Sequence, residues 1–335
     1  MINFFLIILF NFLFFKNYLI ISKRYNLYDF PDNLRKKHKK PTPLLGGLLI
    51  FLNLIFYIFL EYAGFLPLNY FSTNKEIFTF FCISLCFFLL GYYDDKFHLK
   101  ANYKLIIISV LILIGMFFDD NLVIKYIDFS FTNFRLEFFS FSYFITILCF
   151  LLFVNSFNML DGINGQATSY SLFIMILFIT LKIYSFLFSY LLISLIFFLY
   201  FNFKEKMFLG DSGTMLLSFI LSYFFIKSAN VSGILYSDEI FLIMMIPGFE
   251  LLRLAITRIL KKKHPFKPDN NHIHHYMMDR FSFLKSFIII QLLLIMPYII
   301  YLFFSSSIAS LIISFTTYSL VLVFIKKKSK KKLDI

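Results

Sequence analysis

Residues 139–165 read FSFSYFITILCFLLFVNSFNMLDGING. The first two-thirds carry no charge, and a bilayer span needs about 20 mostly apolar residues. The last third changes character: Asn155, Asn158 and Asp161 recur at intervals of three, followed by Gly162 and Gly165. That spacing sets an amide, an amide and a carboxylate on one helical face before the glycines break the helix. A single Asn or Asp would suffice as a cap. Three polar groups beside a glycine turn instead offer hard oxygen ligands and amide donors to a magnesium ion, a phosphate or a sugar.

Working outward, the same apolar texture recurs along all 335 residues. The chain is 60% hydrophobic and 15% charged, with a mean hydropathy of +0.80. A soluble domain is nearer half apolar and a quarter charged, so a soluble globular or disordered chain is excluded. Phe accounts for 52 residues and Trp for none. This reads as drift in apolar choice, of the kind an AT-rich genome produces, rather than an aromatic binding surface. Cys82, Cys86 and Cys149 are odd in number and sit in apolar runs, which argues against disulfides or zinc. The first apolar run lacks a small-residue cleavage site and is expected to be a retained span.

Eleven candidate spans follow: 2–22, 44–66, 76–93, 104–118, 139–155, 167–183, 185–201, 213–230, 239–258, 285–304 and 307–325. The expected fold is an all-α polytopic membrane protein of about 11 transmembrane helices. It forms one integral membrane domain over 1–335 that ends in a basic tail, 326–335. The net charge is +13, and 25 of the 32 Lys and Arg fall in 23–43, 94–104, 204–206, 258–285 and 326–335. Alternation of the loops puts all five on one side, and an odd span count puts the two termini on opposite sides. The positive-inside rule then predicts the N-terminus outside and the C-terminus cytoplasmic.

The remaining polar clusters share that predicted cytoplasmic face. Asp94 and Asp95 follow the third span; paired carboxylates suit a metal, or a pair in which one group is a base, and the plain alternative is a solvated helix end. GDSGT (210–214) opens a span. Asp211 there reads either as an N-cap or as a metal carboxylate beside backbone N–H groups free to hold phosphate. HPFKPDNNHIHH (264–275) holds four of the six histidines without a zinc pattern, and His with nearby Lys and Arg suits a diphosphate. RKKHKKPTPLLGG (35–47) is a topology signal whose Gly46 and Gly47 admit close helix packing. Glu250 and Arg253, three apart within a span, are expected to pair or to line the site.

Taken together in this order, PTPLLGG, GYYDDKFHL, NSFNMLDGING, FLGDSGT and HPFKPDNNHIHH resemble the polyprenyl-phosphate N-acetylhexosamine-1-phosphate transferases, a family related to phospho-MurNAc-pentapeptide transferase. The span count and the split HIHH resemble its GlcNAc-1-phosphate branch. The resemblance implies a glycosyltransferase family 4 membrane enzyme. It would move a sugar 1-phosphate from a UDP-N-acetylhexosamine to undecaprenyl phosphate and release UMP, for cell-wall, lipopolysaccharide or O-antigen synthesis. It also implies Mg2+, with Mn2+ as a substitute, and a bacterial inner-membrane location with the active site on the cytoplasmic face.

Roles carry over to matching positions only. Asp211 is the expected metal ligand, with Asn158 second. Asp94, Asp95, Asp161 and Asp211 form the catalytic set. Asn155, Lys39, His272, His274 and His275 form the substrate-binding set. Implied partners are the UDP-sugar, undecaprenyl phosphate and membrane lipids, with no nucleic acid and a homodimer left open. The chain departs from the family pattern at His98 and Asn164, where Asp is common, and at Gln166, where Leu is common. Two other classes make different demands of the sequence. A lipid-linked sugar transporter or flippase predicts polar residues at mid-span, and few are present. A CDP-alcohol phosphatidyltransferase lacks its longer aspartate pattern here.

Overall fold

The computed structural model describes residues 2–31, 40–66, 73–265, 269 and 271–330. The chain is a helical bundle. Its long helices are α1 (Ile2–Tyr25), α2 (Gly46–Tyr62), α3 (Asn74–Phe97), α4 (Ala101–Phe118), α5 (Ser142–Leu160), α6 (Gln166–Thr180), α7 (Ser185–Phe203), α8 (Gly210–Asn230) and α9 (Ser237–Leu260). A short α10 (Ile273–Arg280) precedes α11 (Phe283–Phe304) and α12 (Ser307–Lys330). Among the described residues nine helices are long and apolar enough to cross a membrane; α2 and α6 are apolar but shorter, at 17 and 15 residues. The chain is thus a multi-pass helical membrane protein.

Helix α8 is the axis. Every residue from Ser212 to Ser228 is buried, and α2, α3 and α5 pack around it. A helix that is apolar on all sides belongs inside a bundle. Its serines satisfy themselves: the Ser218 hydroxyl donates to the Met215 carbonyl and Ser222 to that of Ser218, both within one turn. Elsewhere polar groups tie helices together. Asn11 on α1 and Asn53 on α2 exchange amide hydrogen bonds of 2.9 and 3.2 Å in a buried pair.

The two ends of the bundle differ. At one end, Lys227 of α8 bridges Glu76 of α3 (2.9 Å) and Asp119 (2.8 Å) at the foot of α4, all buried. A basic residue that the charge pattern sets apart from the main basic face is here neutralised internally. Beyond it lies a feature the apolar pattern does not foretell, an antiparallel hairpin of β3 (Tyr126–Phe129) and β4 (Thr132–Glu137). A second, minimal ladder, β1 (Tyr28–Asp29) with β2 (Thr42–Pro43), lies at the opposite end.

Several expected boundaries shift. Helix α3 runs to Phe97, so Asp94 and Asp95 occupy its last turn rather than a following loop. The expected tail from 326 starts as helix, because α12 continues to Lys330; residues 331–335 lie outside the described residues. A tight turn joins α6 to α7, with Lys182 and Tyr184 both at positive φ.

Candidate active site

The ends of α3, α5 and α8 converge opposite the hairpin. What lets them approach is the absence of side chains. A Cβ on Gly91 of α3 would collide with the α8 backbone, reaching 2.6 Å from the Ser212 nitrogen. One on Gly47 of α2 would lie 2.6 Å from the Gly213 nitrogen. These distances are closer than real Cβ contacts, so only glycine lets α2 and α3 pack on the start of α8.

That approach separates the roles of the two adjacent aspartates. Asp95 accepts the backbone N–H of Asp211 (2.7 Å) and of Ser212 (3.0 Å) and so caps α8 from a different helix. The expectation that these N–H groups stand free for phosphate is therefore corrected: a carboxylate already occupies them. Asp211 is likewise not the N-cap, since it sits in the first turn of α8. Asp94 is buried, accepts the Leu99 N–H at 2.7 Å and pairs with Lys104 across the α3–α4 turn. His98, one of the departures, is the exposed left-handed residue that ends α3.

The Asp211 carboxyl faces that of Asp94 and lies within charge range of Asp95. Two facing carboxylates require a shared proton or a cation between them. Asn158 on α5 completes this corner: its carbonyl oxygen accepts the Thr214 hydroxyl at 3.4 Å and ties α5 to the first turn of α8. Asn155, one turn earlier, spends an amide N–H on the Leu151 carbonyl of its own helix.

Asp161 is the residue that ends α5. It is open to solvent on one side yet crowded by protein on the others. That crowding, and then the charge of Asp95, pushes its carboxyl up to about 7. Among the described residues no Lys or Arg pairs with Asp161 or Asp211, so Lys104 is the sole basic partner of this acidic group.

The histidine motif closes over the glycine turn. The His274 ring rests on Gly162 so closely that a Cβ there would enter it. The rings of His274 and His275 lie 4.3 Å apart, and those of His272 and His274 5.2 Å. Burial lowers His272 to about 4, and burial with the neighbouring imidazoles holds His274 well below the ordinary value. Both are neutral near pH 7 and meet a ligand as hydrogen-bonding groups rather than as cations.

The loop before them is held from α9. Arg253 grips Glu250 bidentately at 2.9 and 2.6 Å and donates to the Asn271 carbonyl at 2.7 Å. Glu250 also accepts the Ile273 N–H at 2.7 Å and the Tyr318 hydroxyl at 2.6 Å. The expected pairing of Glu250 with Arg253 is therefore present, and it serves to frame the loop. Lys39 lies outside the described residues.

Three contributors were not singled out by sequence. Lys104 registers there only as one more basic charge beyond the third span. Asn202 accepts the Gly165 N–H at 2.5 Å and fixes the glycine turn; its only signal is an amide in an apolar run. Tyr318 gives no signal at all.

Among the described residues no group of three or more His, Cys, Asp or Glu is arranged to hold a metal ion. What converges instead is a surplus of carboxylate with one described counter-charge, roofed by neutral imidazoles.

Comparison with known proteins falls on the same segments. Residues 77–229, which contain Asp94, Asp95, Asn158, Asp161 and Asp211, match the model of glycosyl transferase family 4. Undecaprenyl-phosphate alpha-N-acetylglucosaminyl 1-phosphate transferase of Escherichia coli K12 is 26% identical over 288 residues, 81% of this chain and 75% of that protein. The enzyme of that name from Thermotoga maritima is 28% identical over 81% of this chain and 79% of its own length. A probable undecaprenyl-phosphate N-acetylglucosaminyl 1-phosphate transferase of Bacillus subtilis is 29% identical over 77% and 71%. The chain is thus similar over most of its length to the undecaprenyl-phosphate N-acetylglucosaminyl 1-phosphate transferases, and its residues 77–229 match the glycosyl transferase family 4 model.

Proposed function

We propose that this chain transfers N-acetylhexosamine 1-phosphate, GlcNAc 1-phosphate by first choice, from a UDP-sugar to undecaprenyl phosphate and releases UMP. The setting is the cytoplasmic face of a bacterial inner membrane. The observation that carries the reading is the corner made by Asp211, Asp94, Asn158 and Asp161, whose negative charge only Lys104 offsets among the described residues.

Magnesium fits this donor set. It takes one or two carboxylates and fills its other positions with water and substrate phosphate, so it does not need a three-ligand protein cage. Asp211 and Asn158 would hold it, and when bound it supplies positive charge to the diphosphate. The basic excess gathered in five loops draws both anionic substrates to one face.

The protein's own part is positioning. An oxygen of the lipid phosphate attacks the phosphorus attached to the sugar. The bond from that phosphorus to the bridging oxygen breaks, and the electron pair leaves with UMP. The acceptor is already an anion near neutral pH, so direct attack needs no covalent enzyme intermediate. Asp161 and Asn155 orient the donor, and His272, His274 and His275 donate hydrogen bonds to its phosphates.

The test is UMP release from a panel of UDP-sugars, with and without undecaprenyl phosphate, alongside Asp211→Asn. Release should require lipid and Mg2+, favour UDP-GlcNAc and vanish in the variant. Near-normal turnover of the variant overturns the metal assignment. A phospho-sugar trapped on the protein without lipid overturns direct attack.

A further inference from the structure

The hairpin stands at the end of the bundle remote from the acidic cluster, between α4 and α5, and its two faces are unlike. The register pairs Ile127 with Leu136 and Asp128 with Arg135. Side chains alternate across a strand, so Ile127, Phe129, Phe134 and Leu136 share one face while Tyr126, Asp128, Arg135 and Glu137 share the other. On the polar face, Arg135 binds Asp128 through two hydrogen bonds of 2.7 and 2.8 Å and lies 3.7 Å from the Tyr126 ring centre.

The apolar face is open. Phe134 is 62% exposed and Leu136 is 40% exposed. The hairpin does not swing freely, because Ser130 at its turn donates through backbone N–H (2.8 Å) and hydroxyl (2.5 Å) to Asp238 at the start of α9. A fixed ribbon therefore presents an apolar edge: Phe134 and Leu136 on β4 are exposed, while Ile127 and Phe129 on β3 are half-buried.

We infer that this face lies in the interfacial layer of the bilayer, on the leaflet opposite the acidic cluster, and that its partner is lipid. Two observations choose lipid over protein. First, the hairpin is flanked by exposed aromatics at the ends of two apolar spans that can cross a membrane: Phe117 (80% exposed) in the last turn of α4, and Phe141 (67%) and Phe144 (62%) at the start of the α5 span. Second, the apolar face itself carries no charge, and on the opposite face Arg135 is paired with Asp128 at 2.7 Å. The apolar face therefore has nothing to select a charged partner, and its binding should not depend on lipid charge. Aromatic side chains at a membrane–water boundary serve this purpose.

The chain has no tryptophan, so a single introduced one reports alone. Phe134→Trp and, on the polar face, Asn133→Trp are made in the full-length protein and reconstituted in phosphatidylethanolamine vesicles with and without phosphatidylglycerol. Lipids brominated near the headgroup or near the bilayer centre then locate each probe. Phe134→Trp should emit to the blue of Asn133→Trp and be quenched several-fold more by the shallow bromine than by the deep one. It should also resist acrylamide equally in both vesicle types, while Asn133→Trp is quenched by acrylamide. If both probes emit and quench alike as in water, the inference is overturned. If Phe134→Trp is shielded from acrylamide yet untouched by brominated lipid, protein covers the face and the inference is equally overturned.

Discussion

The carboxylate of Asp95 on α3 accepts the backbone N–H groups of Asp211 and Ser212 at the head of α8, at 2.7 and 3.0 Å. A residue that sequence pairs with Asp94 is thus structurally the partner of Asp211. It spends both oxygens on the helix start that carries the proposed metal ligand. Removing the cap should cost about 0.5–2 kcal/mol. Asp95→Asn keeps one acceptor oxygen and should retain most of that stability, whereas Asp95→Ala should not. Both should lose turnover, because the first turn of α8 loses its fixed position. Thermal unfolding in detergent, read beside turnover, checks this. Equal stability of Asp95→Ala and wild type would remove the cap from the account.

Close approach makes a sharper prediction. Gly91→Ala puts a methyl into the backbone of Asp211 and Ser212, which cannot retreat as a side-chain end would. Overpacking of this kind costs about 1–3 kcal/mol and displaces the acidic corner. Gly248→Ala in α9 meets nothing within 4 Å and should be neutral or slightly stabilising, since alanine favours helix. Detergent-solubilised yield and unfolding temperature should fall for the first variant only.

These two contacts also show what the sequence could and could not carry. The helices were legible because a bilayer imposes one length and one composition on each. The polar clusters were legible because charge and amide in such a chain are costly without a use. The pairing among clusters was not: Asp95 meets Asp211 across 116 residues and His274 meets Gly162 across 112, and no local pattern encodes such contacts. The hairpin escaped because its strands are four and six residues long, with alternation set between two strongly apolar helices. Lys104 escaped because a lysine beside a span already has a sufficient explanation in topology.

The Glu250–Arg253 pair gives a third prediction. Glu250 is buried and holds Arg253, the Ile273 N–H and the Tyr318 hydroxyl together, so removing one partner strands the other. Breaking a buried pair costs about 3–5 kcal/mol, whereas replacing both members is milder. Glu250→Gln and Arg253→Met should each raise the KM for the UDP-sugar more than they lower kcat, because the loop they frame is the one proposed to bind the donor. The double variant should be less impaired than the sum of the two. Additive losses would show that the two residues act separately.

The pH dependence follows from two groups outside the spans with opposite signs. Burial lowers His272 to about 4 from an ordinary 6.5, so the unfolded chain takes up that proton first, and stability is lost as pH falls from about 6.5 toward 4. Crowding raises Asp161 to about 7 from 3.8, so its contribution to stability is present at low pH and is lost as pH rises through about 7. Catalysis takes the other side of the second effect. If Asp161 orients the donor as a carboxylate, kcat/KM should climb with pH toward a plateau with a midpoint near 7 at limiting Mg2+. Higher Mg2+ should move that midpoint down, because a nearby cation favours the ionised carboxyl. Asn164→Asp adds a like charge to the same turn and should move it up. A pH–rate series on wild type and Asn164→Asp at two Mg2+ concentrations checks all three directions. A midpoint indifferent to both changes would take Asp161 out of the reaction.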